Sequence, residues 1–289
     1  MAVVADRSDL VAGRAAGQRR LPPPTVLASF AAVLLIVLLA VIPGPIEPYD
    51  PLSQNLFLSS AGPSHLHWLG TDSNGRDVLS LVISGTRSAV LGPALIALGT
   101  VLLGATLGMA AGLKGGAFDA FVNRFADLLY ALPGLLVVIV VVGIAGGGYW
   151  LAVLVLLVLS IPGEIRLCRG ASAVQARLAY VDAARTLGLS TWRIMFVYLA
   201  PNILPTIIAT LLLDFVGALL GLAGLAYLGF GTLPGTPSWG QLLYEGQSLL
   251  QQNPWMSVAP SILIILTATS VTLIGDWFYD RTLGLGGTR

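Results

Sequence analysis

Tyr180-Val-Asp-Ala-Ala-Arg-Thr-Leu-Gly188-Leu-Ser-Thr-Trp-Arg-Ile-Met-Phe-Val-Tyr-Leu-Ala-Pro201-Asn202 is the stretch on which the reading of this chain turns. Its first half favours a helix, with Ala183 and Ala184 among the good helix formers. Gly188 enters the left-handed region at low cost and is a natural helix stop. Ser190 or Thr191 is placed to cap a second helix. Pro201 is expected to end or bend that helix before the apolar run that follows. Two short helices joined by a tight glycine turn result. Small side chains at 183 and 184 would admit a close partner surface, and Trp192, Ile194 and Phe196 would supply apolar anchors.

On either side the chain is too apolar for a soluble core. Of 289 residues, 56% are hydrophobic and 10% charged, against about 25% charged in a soluble domain. About 20 apolar residues span a bilayer as a helix. Six candidates stand out, at about 26–42, 89–113, 125–145, 149–162, 203–230 and 258–278. The expected fold class is therefore all-α, a polytopic membrane protein with six transmembrane helices. The first run follows Arg19-Arg20, as a twin-arginine or secretory signal would. It ends in Ile42-Pro-Gly-Pro45 with no small-residue cleavage site, and five further spans follow. It reads as an uncleaved anchor.

Placement of basic residues sets the orientation. With the N-terminus inside, only Arg76 and Arg87 lie outside, which leaves 13 of the 15 lysines and arginines inside. The expected parts are a cytoplasmic tail at 1–24, a first span at 25–43 and an extracytoplasmic segment at 44–85. A five-helix core at 86–280 and a tail at 281–289 follow, with both termini cytoplasmic at the cell membrane. Within the core, the cytoplasmic loop 163–202 is too long for a plain connector.

Several chemistries are poorly supplied. The one lysine, Lys114, precedes Gly115-Gly116, so the Gly-Lys-Ser/Thr of a phosphate-binding loop is missing. If ATP drives this protein, ATP and Mg are expected on partner chains, with no cofactor bound here. One cysteine, Cys168, allows no internal disulfide, and a net charge of +1 gives no field for nucleic acid. A DNA-binding helix-turn-helix is a poor rival for 180–202, because its arginines would stand one short span from the membrane. No catalytic residue and no metal ligand set is assigned.

The segment resembles the Glu-Ala-Ala loop of bacterial binding-protein-dependent importers, a signature of Glu-Ala-Ala, three residues, Gly, nine residues, Ile, one residue and Leu-Pro. Asp182-Ala183-Ala184, Gly188, Tyr198, Ala200 and Pro201 keep that spacing, with Asp for Glu, Tyr for Ile and Ala for Leu. His67-Trp-Leu-Gly70-Thr71-Asp72-Ser-Asn-Gly75-Arg76-Asp77-Val-Leu-Ser80 is similar to a stretch of the dipeptide and oligopeptide permease C-type subunits, with Trp68 for the usual proline. Pro237-Ser-Trp239-Gly240 with Glu245-Gly246, and Gly275-Asp276 followed by Asp280, resemble two later stretches of that subfamily.

The resemblance implies a type I ABC importer permease core importing short peptides, a nickel chelate or glutathione by alternating access. It implies a second homologous permease, two ATPase subunits or domains and an extracytoplasmic binding protein as partners. It also implies that Asp182, Ala183, Ala184, Gly188, Trp192 and Pro201 contact the ATPase.

Other residues carry weaker expectations. Asp214, mid-span, is a candidate for the translocation path together with Gly217 and Gly221, or else an aspartate satisfied by a neighbour. Gly217, Gly221, Gly224, Gly229 and Gly231 suit close helix approach or a hinge. Arg76 and Asp77 are expected to pair locally and, with Trp239, to shape a docking surface for the binding protein. Asp72, Asn74 and Asp77 faintly suggest a calcium loop but fail its spacing, and His65 and His67 lack a third metal ligand. Asp127 is expected to pair with Arg124 one turn earlier. Rival readings are an ion-driven secondary transporter, which would want paired intramembrane carboxylates, and a membrane scaffold.

Overall fold

A computed structural model describes residues 22–232 and 236–282. The expected tails lie almost wholly outside these residues, as do Arg7, Arg14, Arg19, Arg20 and Arg289 of the charge bias. The described residues form helices and their connections: α1 (Pro24–Val41), α2 (Val78–Thr100), α3 (Thr106–Lys114), α4 (Gly116–Tyr130), α5 (Gly134–Ile144) and α6 (Tyr149–Gln175). Then come α7 (Ala179–Thr186), α8 (Thr191–Arg193), α9 (Ala200–Tyr227), α10 (Trp239–Gly246) and α11 (Trp255–Thr282). Five continuous stretches are long and apolar enough to cross a membrane, and α4 with α5 makes a sixth, bent by 72°.

Four expectations about these spans are corrected. The third span is broken, because Pro133 cannot donate a helical hydrogen bond and is itself extended, at ψ 104°. The second span starts at Val78, so the expected boundary at 85–86 falls inside α2. The fourth span passes through Pro162 and runs on to Gln175, so the first third of the expected loop continues a membrane helix. Pro201 does not end its helix either: α8, a π turn over Ile194–Leu199 and α9 form one 37-residue stretch. The wide π turn lies just where a proline ring would crowd a regular one.

A second π turn, over Val101–Ala105, joins α2 to α3. On this rod Gly85, Gly92 and Gly99 lie seven apart, and Gly104, Gly108 and Gly112 four apart. Gly99 and Gly104 are five apart, the i→i+5 step of a π turn. The extra residue there keeps the stripe from Gly92 to Gly112 facing α6. A Cβ at Gly108 would lie 2.6 Å from the Ile165 carbonyl oxygen, and one at Gly112 2.6 Å from that of Arg169. The backbones of α3 and α6 thus touch, as small residues at four-residue spacing permit in membranes. The glycines of α9 make no such contact within this chain. Gly217 and Gly224 have no atom within 4 Å of a Cβ, and Gly221 meets only Leu156, at 3.6 Å.

α9 packs on α2, α6 and α11, while α1 lies outside against α2 and α11. Leu27, Leu34, Leu35 and Leu38 of α1 stay exposed, as lipid-facing side chains do.

Candidate functional site

The segment from α7 to the π turn folds as the sequence suggests. Gly188 has φ +73°, and Ser190 caps α8 by accepting from the Arg193 N–H at 3.4 Å. One face is sunk into the chain. Val181, Ala184, Ile194, Met195 and Leu199 are buried with Ala105, Met109, Leu113 and Cys168. The other face is bare. Trp192 and Phe196 stack with ring centroids 5.4 Å apart and planes 4° from parallel, at 63% and 47% exposure. Leu187 and Val197 extend the patch.

Two residue assignments change accordingly. Ala184 and Ile194 are core residues, so Ala183 alone of the alanine pair faces out. Asp182 is exposed and lies 3.7 Å from Arg185. The segment is pinned to the bundle, since Arg185 Nη2 donates to the Leu113 carbonyl at 3.0 Å, at the C-terminus of α3 where a cation is favoured.

The connection from α1 to α2 builds the opposite end of the molecule. Asp77 caps α2, accepting from the Ser80 N–H and Oγ at 2.8 Å each, and contacts His67 Nδ1 at 2.9 Å. Arg76 does not pair with Asp77. It donates to Asp72 and, at 3.1 Å, to Glu245 on α10. Asp72 accepts from the Asn74 and Arg76 N–H groups at 2.8 Å, which makes a turn rather than a calcium loop. Trp239 is 2% exposed and donates Nε1–H to the Val82 carbonyl at 3.0 Å. Asp77 and Trp239 therefore brace this end from beneath. Of the three residues expected to form a docking surface, only Arg76 keeps part of its side chain exposed.

Within the membrane the structure brings together groups that the sequence reading left apart. Glu164 on α6 is 2% exposed. Its Oε1 accepts from Thr210 Oγ1 on α9 at 3.2 Å and from Cys168 Sγ at 3.0 Å. Asp214 stands one turn past Thr210 on the same face. Sequence reading missed Glu164, although a glutamate inside an apolar run following Pro162-Gly163 was visible. Asp127 pairs with Arg166 of α6 at 2.7 Å instead of with Arg124, and Asp119 pairs with Arg169 through both nitrogens of its fork.

Six apolar crossings, helices bent and wound at defined points, and a surface-bared helix–turn–helix continuous with a span define a membrane transport subunit. The sequence from 104 to 283 matches the binding-protein-dependent transport system inner membrane component, and the chain belongs to that family. It is thus a permease subunit of an ABC importer, a class whose ATPase activity lies on partner subunits. It is 34% identical over 281 residues to a glutathione transport system permease protein of Pectobacterium atrosepticum, covering 96% of this chain and 93% of that one. It is 35% identical over 254 residues to the dipeptide transport system permease protein of Haemophilus influenzae, covering 86% of each. A di/tripeptide permease protein of Pseudomonas aeruginosa is 34% identical, over 86% of this chain and 84% of that one. The fold superposes on the MetNI methionine ABC transporter with a TM-score of 0.59 at 16% identity, over 73% of this chain and 98% of that one.

Proposed function

We propose that this chain is one of two permeases in an ATP-driven importer of short peptides, and that the segment 179–199 is its docking point for an ATPase subunit. One observation carries the docking assignment. The stacked Trp192 and Phe196 are bare on a segment whose other face is locked in the core. Bared aromatics rimmed by charge make good anchors for a partner groove. Asp182, Arg185 and Arg193 supply that rim, with Gly188 setting the angle between the two helices.

Because α8, the π turn and α9 are one helix, a push on Trp192 is delivered to Asp214 and Gly217 without passing through a loop. Gly217 and Gly224 leave one side of α9 free for a second permease or a solute path. The positive-inside bias puts this segment and both termini in the cytoplasm. The connection 42–77 and α10 then face the binding protein. Peptide cargo is supported by the dipeptide and di/tripeptide permeases among the relatives, and glutathione, itself a peptide, is the alternative.

The test is copurification. Trp192→Ala with Phe196→Ala is expected to cut retention of the ATPase subunits at least tenfold while leaving the thermal midpoint of the permease unchanged, because neither ring is buried. Asp182→Lys should weaken retention in the same direction. Undiminished retention and ATP-dependent dipeptide uptake in vesicles containing the double variant would sink the docking assignment. Uptake of labelled dipeptide against glutathione, with the cognate binding protein, decides the cargo.

A further inference from the structure

Among the described residues, the spans hold two carboxyl groups that no arginine or lysine answers. Glu164 Oε2 is buried without a partner, and so is Asp214 Oδ2. The Glu164 carboxyl points toward α9, where Thr210 donates to its other oxygen. Its stem lies against the π turn of the α2–α3 rod, where a Cβ at Gly104 would come within 2.7 Å of it. The site is therefore closed by three of the principal helices, and Asp214 stands one turn beyond Thr210 on the α9 face that meets Glu164.

Among the described residues no cation reaches it from an element packed around it. On α6 itself, Arg166 and Arg169 turn away to Asp127 and Asp119 of α4, Arg124 of α4 is exposed, and Cys168 donates its S–H to Glu164. The stretch from Val78 to Lys114 carries only Arg87 and Lys114, near its two ends. α5 carries no titratable side chain, and α9 carries only Asp214 and, thirteen residues on, Tyr227. Arg193 and Tyr198 before α9 are exposed, as are Asp276, Asp280 and Arg281 of α11.

We propose that Glu164 and Asp214 form a proton-binding site inside the membrane, a carboxyl–carboxylate pair that holds one proton between α6 and α9. Two carboxylates that share a low-dielectric site do not both stay ionised. A buried carboxylate without a cation or a full set of donors is too costly to keep. A larger ligand does not fit. Glu164 is enclosed, so a solute's amino group has no approach to it. Calcium takes six to eight oxygens, and among the described residues no group of three or more His, Cys, Asp or Glu is placed to hold a metal. The proton comes from water and returns to it, with no bond chemistry. Its release would set two like charges across the joint between α6 and α9. The site is thus a latch on the helix that continues into 191–199, and it does not depend on which solute is carried.

Infrared spectroscopy of the full chain, reconstituted with its partner subunits in lipid nanodiscs, tests the site. The wild type at neutral pH is expected to show a protonated-carboxyl C=O stretch that shifts in D2O. Glu164→Gln combined with Asp214→Asn should remove it. Asp214→Asn alone, at a half-buried position that tolerates the exchange, should alter its frequency and covers the case in which the double variant does not fold. Spectra identical in the wild type and the variants would mean that both groups are ionised and would overturn the proposal. So would a band that appears only after sodium or calcium is removed, since a metal cation would then hold the pair.

Discussion

At Gly188 the demand for glycine is conformational alone: φ is +73°, and nothing lies within 4 Å of where a Cβ would sit. Gly188→Ala should cost about 1–2 kcal/mol, the penalty of an L-residue in the left-handed region, read as a lowered thermal midpoint. At Gly108 the demand is spatial. A Cβ there would press to 2.6 Å from the Ile165 carbonyl oxygen, which is backbone and cannot rotate aside. Gly108→Leu should therefore destabilise by about 1–3 kcal/mol or more through overpacking, and the folded yield in detergent will report it. The first glycine was legible because it follows a helical run and precedes a cap. The second was legible in principle from its spacing with Gly104 and Gly112. The eye goes instead to the denser glycines of 217–231, whose neighbours no sequence pattern supplies. Arg76 and Asp77 were legible as a turn and cap. Glu245, the partner that Arg76 reaches, is 169 positions away and was not.

Helices that contain a proline or a π turn were the elements least readable in advance. Pro162 looked like a stop and Pro201 like a stop or a bend, while 125–145 read as one span through Pro133, yet it is Pro133 that breaks its helix. In a bilayer, neighbouring helices and local widening re-satisfy the carbonyl that a proline frees, and a sequence does not show which neighbours are present. The π turn at Val101–Ala105 has a checkable role. Deleting Leu102 would turn the π turn into a regular one and leave Gly99 and Gly104 four apart, still on one face. Gly104, Gly108 and Gly112 would stay against α6, so folded protein should be recovered. Deleting Leu107 from the regular stretch of α3 should instead rotate Gly108 and Gly112 by about 100° away from α6 and abolish folded protein.

For the molecule as a whole, composition made the membrane class and the number of crossings readable, and the 182–188 spacing made the family readable. Which helix lies beside which was not, because lipid-facing and helix-facing residues are equally apolar here. The clearest case is α1. It packs against α11, at the far end of the chain, through Phe30 on Trp277 with centroids 5.9 Å apart and Ile36 beside Ile264. A chain truncated before Trp255 should consequently lose more than one span. The folded fraction is expected to fall to background, and protease should cut within the connection after α1. Retention of a protease-resistant α1–α9 fragment would contradict this.

That pairing of first helix with last also sets a timetable for synthesis. α1 is made more than 200 residues before its neighbour α11, and ribosomes add about 5–20 residues per second. For at least ten seconds or so, α1 must sit in the bilayer with lipid in place of protein along its Phe30–Ile36 side. A helix with no charge from Pro24 to Val41 can wait in that way. Assembly is complete only when the last span arrives and displaces the lipid, so unfinished chains carry an unclosed seam that membrane quality control could recognise.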